Sequence, residues 1–209
     1  MAEKLTAAKI EEAAKHYENI SSGKTPIIEK DKGLLKETTV KDLHEHLKKK
    51  DPTTYPLIPP TDPRLLMKIA PFTDDMLKEF KIEDRKELSK KMYDSMTKYG
   101  GIGLSANQVG LPFRMFVMGG HPQIEDGKVR NCFNPIVKDL SEETILMKEG
   151  CLSFPFLFLS IKRPKWVNIQ YTDETGETVD EYLHGMSARI FQHENEHMNG
   201  YIFTDLVSK

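Results

Sequence analysis

Cysteine, tryptophan and long apolar runs are what this 209-residue chain has least of, with two Cys and one Trp. Cys132 and Cys151 can form at most one bridge, which excludes a disulfide-stapled secreted scaffold. They read as two reduced thiols, and a cytoplasmic location is the expectation. No apolar run approaches the ~20 residues of a membrane span. The opening MAEKLTAAKIEEAAKHYENI lacks the continuous apolar stretch of a secretory signal. Arginine is missing from residues 1–61, where eleven lysines stand beside ten acids. An organellar transit segment is the reverse, Arg-rich and acid-poor. A net charge of −2 offers no excess of either sign, so neither an anionic membrane nor specific nucleic-acid binding is expected.

What is present suits a globular protein, with 38% hydrophobic and 30% charged residues, long enough for one domain and an appendage. The texture changes near residue 61. Residues 1–60 are Lys/Glu-rich and partly helical. One helical pattern runs from about Thr6 to Asn19, with Ile10, Ala13, Ala14 and Tyr17 on one face, and a second aligns Val40, Leu43 and Leu47. DPTTYPLIPPTDP (51–63), with five prolines, reads as an extended linker. Residues 61–209 read as one folded domain, the part that carries the motifs described below. Residues 83–99 form a helix with Leu88, Met92, Met96 and Tyr99 along one side. Strands are expected at 114–119, 132–137, 144–150, 166–173 and 178–183, with a turn at 172–176. A last helix runs from about Met186 to Met198, with Gly200 as its stop. Strands not interleaved with helices make this an α+β fold. Its small antiparallel or mixed sheets pack around the C-terminal helix.

That helix carries FQHENEHMNG (191–200). Residues four apart share a helix face, so His193 and His197 can direct ring nitrogens at one divalent ion, with Glu194 beside them to hold a proton. A surface helix with a stray His pair is the plain alternative. Two histidines leave an ion under-coordinated, and a catalytic site needs a third protein ligand and an open position. The metzincin continuation H-E-x-x-H-x-x-G-x-x-H puts its glycine at Gly200 but meets Phe203 where the third His belongs. Upstream, Cys151 in EGCLSFP is a soft thiolate suited to iron(II) or zinc, with a buried structural thiol as the competing reading.

Three segments, in order, resemble the peptide deformylases: GIGLSANQ (101–108), EGCLS (149–153) and QHENEH (192–197). The likeness extends from TDPRLL (61–66) through VGLPFRMFV (109–117) and NPIV (134–137) to GYIFTDLVS (200–208). The resemblance implies a metal-dependent hydrolase that removes the formyl group from N-terminal formyl-methionine of new polypeptides and releases formate. By that resemblance Cys151, His193 and His197 hold one divalent ion, usually Fe2+, with Zn2+, Ni2+ or Co2+ able to substitute. Metal-bound hydroxide attacks, and Glu194 is the general base and acid. Gln108 and the backbone N–H of Leu152 receive the oxyanion. Ile102 and Gly103 resemble the strand that pairs with the peptide backbone. Met186 and Ile190, at helical spacing from His193, are candidates for the methionine pocket, with plain core as their alternative. Glu149 is a candidate substrate-binding residue, and a candidate ion-pair partner for Arg163 behind the site, with a solvated Arg163 as the alternative. The implied partner is a formyl-Met peptide, and the ribosome, where such chains emerge, is a further candidate. Two departures stand out. Glu196 replaces the Asp of the usual QHExDH. The stretch FPFLFLS (154–160) is unusually aromatic, and reads as a loop that forms a substrate rim or packs on the N-terminal extension.

Overall fold

A computed structural model describes residues 53–206. Both helical patterns of the N-terminal 50 residues lie outside that range.

A short helix α1 (Asp75–Glu79) leads into α2 (Arg85–Lys98). Asp84 caps α2 by accepting the Glu87 N–H at 2.8 Å, and the Glu87 carboxylate reaches back to the Glu83 N–H at 2.6 Å. Leu88, Met92 and Met96 recur every four residues on one face and are fully buried. Seven strands follow, all antiparallel. They are β1 (Gly103–Ser105), β2 (Met115–Gly119), β3 (Val129–Leu140), β4 (Thr144–Cys151), β5 (Phe154–Pro164), β6 (Trp166–Thr172) and β7 (Thr178–His184). Five of them form one sheet in the order β1-β2-β3-β6-β7, while β4 and β5 form a separate two-stranded ribbon. The last helix, α3, spans Gly185–Met198. Gly200, just past its end, has φ +78° with Leu66 O close by, a conformation and a space that suit only glycine.

The five strands expected from the pattern are all present, as is a strand at Gly103, where the resemblance implied one, and one more was not expected. FPFLFLS is strand rather than loop, the first half of β5. Its burial alternates once Phe154 has turned the corner, with Leu159, Ile161 and Arg163 inward. The aromatic run masked that alternation, because Phe occurs on both faces. Residues 53–61 also do more than link. Ile58 is buried, its N–H bonds Gln108 O at 2.9 Å, and the Tyr55 N–H bonds Ser95 Oγ at 2.7 Å.

α3 is what organises the site. It is buried nearly all round, by the sheet on one side and by the ribbon on another. Phe191 meets Phe116 of β2 edge-on at 5.1 Å, while Phe203, beyond the helix, packs with Phe154 of β5. A helix so enclosed needs its polar residues satisfied by tertiary partners. Among the described residues no helix is long and apolar enough to cross a membrane.

Candidate active site

Three elements converge on one turn of α3. β4 ends at Cys151, α3 presents His193 and His197, and the short 3-10 turn Ala106–Val109 after β1 carries Gln108. The ligand atoms of Cys151, His193 and His197 lie within 4.8 Å of one another, and Cys151 Sγ is 3.4 Å from His197 Nε2. One thiol and two imidazoles make a donor set that suits iron(II), zinc, cobalt or nickel. His193 Nδ1 lies 3.2 Å from Glu149 Oε2, which fixes the ring and turns Nε2 toward the other two donors. Complete burial holds the His197 imidazole well below its ordinary pKa, in the neutral form that a metal requires. Phe203, at the position where a metzincin has its third histidine, instead packs its ring 5.7 Å from that of His193.

Glu194 is on the same turn, 4% exposed. Its Oε2 accepts from Ser105 Oγ at 2.6 Å. Burial pushes its carboxyl above the usual range, opposed by the hydrogen bond from the Ser105 hydroxyl. A carboxyl displaced toward neutrality is suited to carrying a proton both ways. Gly103 has to be glycine, because a Cβ there would run into the Glu194 carboxylate and the Ile190 side chain. Gln108 is oriented by the backbone. Its Oε1 accepts the Ser105 N–H at 2.8 Å, so the amide NH2 is left to point at Ser153 Oγ (3.1 Å) and Cys151 Sγ (3.4 Å). S-x-x-Q is the sequence signature of a capping box, a signal present in the sequence.

The other expected residues gather around the same cleft, a cavity of about 1700 Å³. Leu152, in the turn between β4 and β5, and Ile102, at the entry to β1, are half-buried on its wall. Ile190 is buried and Met186 is 36% exposed nearer solvent. Glu149 borders the cleft, but both of its oxygens are engaged with protein. Arg163 Nε and Nη2 donate to it at 2.6 and 2.9 Å, and Arg189 and His193 also bond it. Burial alone would raise its pKa, but the hydrogen bonds from His193 and Arg163 outweigh this and hold it at about 2. Its place is behind His193.

Sequence reading missed three participants. Ser105 supplies the hydroxyl on Glu194, Ser153 accepts from Gln108, and Arg189 joins Glu149 to the carbonyls of Ile145 and Ile161. None of these contacts has a local pattern, since each joins residues 28 or more apart in the chain. Glu196, the odd residue of QHENEH, is also accounted for. Its longer side chain makes a two-pronged pair with Arg163, at 2.6 and 2.9 Å, so one guanidinium holds both Glu149 and Glu196.

Comparison with known proteins gives a consistent picture. The family model for polypeptide deformylase matches residues 56–209. The peptide deformylase of Thermotoga maritima is 40% identical over 126 residues, 60% of this chain and 74% of that protein. Chloroplastic peptide deformylase 1B of Oryza sativa is 38% identical over 126 residues, 60% of this chain and 47% of that one. The crystal structure of the Thermotoga maritima enzyme aligns with TM-score 0.66 at 35% identity, covering 75% of this chain and 99% of its own. A Met-Ala-Ser-bound class I type b peptide deformylase from Acinetobacter baumannii aligns with TM-score 0.64 at 28% identity, covering 73% and 98%.

Proposed function

The chain belongs to the polypeptide deformylase family, and from that premise we propose that it hydrolyses the formyl amide of N-terminal formyl-methionine on new polypeptides. The observation that carries this is the meeting of Cys151, His193 and His197 with Glu194 and Gln108 at one end of a peptide-sized cleft. Cys151, His193 and His197 would hold one divalent ion, with Fe2+ the expected occupant and Zn2+, Ni2+ or Co2+ alternatives. Such an ion, when bound, supplies Lewis acidity and lowers the pKa of water from about 15.7 toward about 7.

The chain's own residues do the rest. The peptide lies along the β1 edge at Ile102 and Gly103 by strand addition. The methionine side chain enters the apolar surface of Ile190 and Met186. Gly103, having no side chain, lets the formyl group come close to the Glu194 carboxylate. Glu194 takes a proton from the attacking water as its oxygen bonds the formyl carbon. The Gln108 amide and the Leu152 N–H donate to the developing oxyanion, and losing one such donor typically costs about 10²–10³ in rate. Glu194 then returns the proton to the departing amine nitrogen, leaving formate and a free amino terminus. Because formyl carries only hydrogen on its carbon, a tight site excludes larger acyl groups by size.

The test is formate release from formyl-Met-Ala-Ser, with iron(II) under anaerobic conditions and with the cobalt or nickel form beside it. Glu194→Ala is expected to keep the metal while formate release collapses, and near-wild-type turnover would remove the proposed acid/base. Cys151→Ala is expected to lose the metal. Retention of metal and of hydrolysis in that variant would instead favour a metallopeptidase with a different third ligand.

A further inference from the structure

We propose that Ser105 is a positioning residue for the hydrolysis, whose hydroxyl ties up one oxygen of Glu194 and so assigns the proton transfers to the other, Oε1, an inference that rests on the deformylase reading above. The two oxygens of a carboxylate are equivalent, and rotation about its last bond exchanges them. Here the surroundings make them different. Oε2 accepts from Ser105 Oγ at 2.6 Å, the short distance of a hydroxyl bonded to a carboxylate. Oε1 accepts from no protein group among the described residues. It lies over Gly103, since a Cβ built there would run into Oε1. Gly103 and Glu194 both line the cleft, whereas Ser105 is fully buried and does not. One oxygen is therefore anchored on the protein side, and the other faces the space that the substrate enters.

The anchor is itself held in place. Ser105 pairs with Phe116 across β1 and β2, and its backbone N–H donates to Gln108 Oε1 at 2.8 Å. Its hydroxyl meets α3 at a residue 89 positions later in the chain. One residue thus sets the acid/base and an oxyanion donor in register with each other. A serine hydroxyl has a single hydrogen to donate. Its other neighbour, the Glu194 carbonyl oxygen, is farther away at 3.2 Å, so Oε2 receives that hydrogen. The proton that Glu194 takes from the attacking water then goes to Oε1. It leaves from Oε1 to the amine nitrogen as the C–N bond breaks. Ser105 keeps its own hydrogen through both steps.

The experiment measures kcat and KM for formyl-Met-Ala-Ser, metal content and the crystal structure of Ser105→Ala beside the wild type. Alanine removes the hydroxyl and keeps the backbone N–H that orients Gln108. The expected fall in kcat is about tenfold, part of the about 10²–10⁴ that a positioned acid/base supplies, with KM and metal content unchanged. In the crystal the Glu194 carboxylate is expected to leave its place over Gly103 or to occupy two rotamers, while Gln108 stays where it is. Wild-type kcat in Ser105→Ala, a loss taken in KM or metal content instead, or a Glu194 carboxylate that has not moved overturns the proposal. Ser105→Cys, which fills the site with a much weaker donor, takes the same readouts and is expected to lose kcat in the same way. Full activity in that variant equally overturns it. If the wild type releases no formate from any formylated peptide, the deformylase reading fails by itself. The crystal structures then still decide the anchor, since a carboxylate displaced only when the hydroxyl is removed supports it and an unmoved one overturns it.

Discussion

Replacing Arg163 by methionine tests whether the buried charges behind His193 position the metal donors. Arg163 is 2% exposed and makes four hydrogen bonds, two to Glu149 and two to Glu196. Methionine keeps much of the apolar stem and removes the charge. Breaking a buried pair by deleting one partner costs about 3–5 kcal/mol, mostly because the remaining charge is stranded. Here Arg189 and His193 still hold Glu149, and the Glu196 side chain is 24% exposed and can rehydrate. The cost therefore falls at the low end, about 3 kcal/mol. For a chain of this size that lowers the melting temperature by about 6–12 °C. The effect on the site is indirect, since Arg163 acts on His193 only through Glu149. Loss of a group that orients a ligand weakens metal binding about 10–100-fold, and about tenfold is expected at this remove. Melting is followed by circular dichroism in chelator, which keeps metal binding out of the stability measurement. Metal affinity is read separately by competition with a coloured chelator. A variant melting within about 1 °C of wild type, with unchanged metal affinity, would refute the argument that one guanidinium ties these carboxylates to the metal donors.

Two further outcomes follow from the same physics. Gly103→Ala places a methyl group against the Glu194 carboxylate. A displacement of that kind is expected to lower kcat for formyl-Met-Ala-Ser about 10²-fold, with metal content unchanged by atomic absorption. Glu125 is held at about 2, below its ordinary 4.5, chiefly by hydrogen bonds from Arg130 against the opposing effect of burial. A depressed carboxyl contributes stability above pH 4.5 and loses it as pH falls toward about 2. Glu125→Gln is therefore expected to flatten the acid limb of melting temperature against pH in that window, and an unchanged limb would show that the pair contributes nothing.

The sequence by itself determined the parts whose rules are local. The repeat of Leu88, Met92 and Met96 is a property of one helix, and so is the four-residue spacing that brings His193 and His197 to one face. Gly200 announces the end of α3 by a conformation that other residues avoid. The ordered motifs also sufficed to indicate the family. Only the tertiary structure decided what lies between distant segments. Whether Cys151 meets the two imidazoles depends on where β4 ends relative to α3, 42 residues away in the case of His193, and no periodicity encodes that register. The same holds for Ser105 on Glu194, and for Arg163 joining Glu149 to Glu196. The aromatic run 154–160 shows the limit most directly. Its residues read alike one by one, and only pairing with β4 sorts them, Phe154 and Leu159 inward and Phe156 out on a bulge. Side-chain identity sets the local preference of a segment, but which face is buried is set by what packs against it.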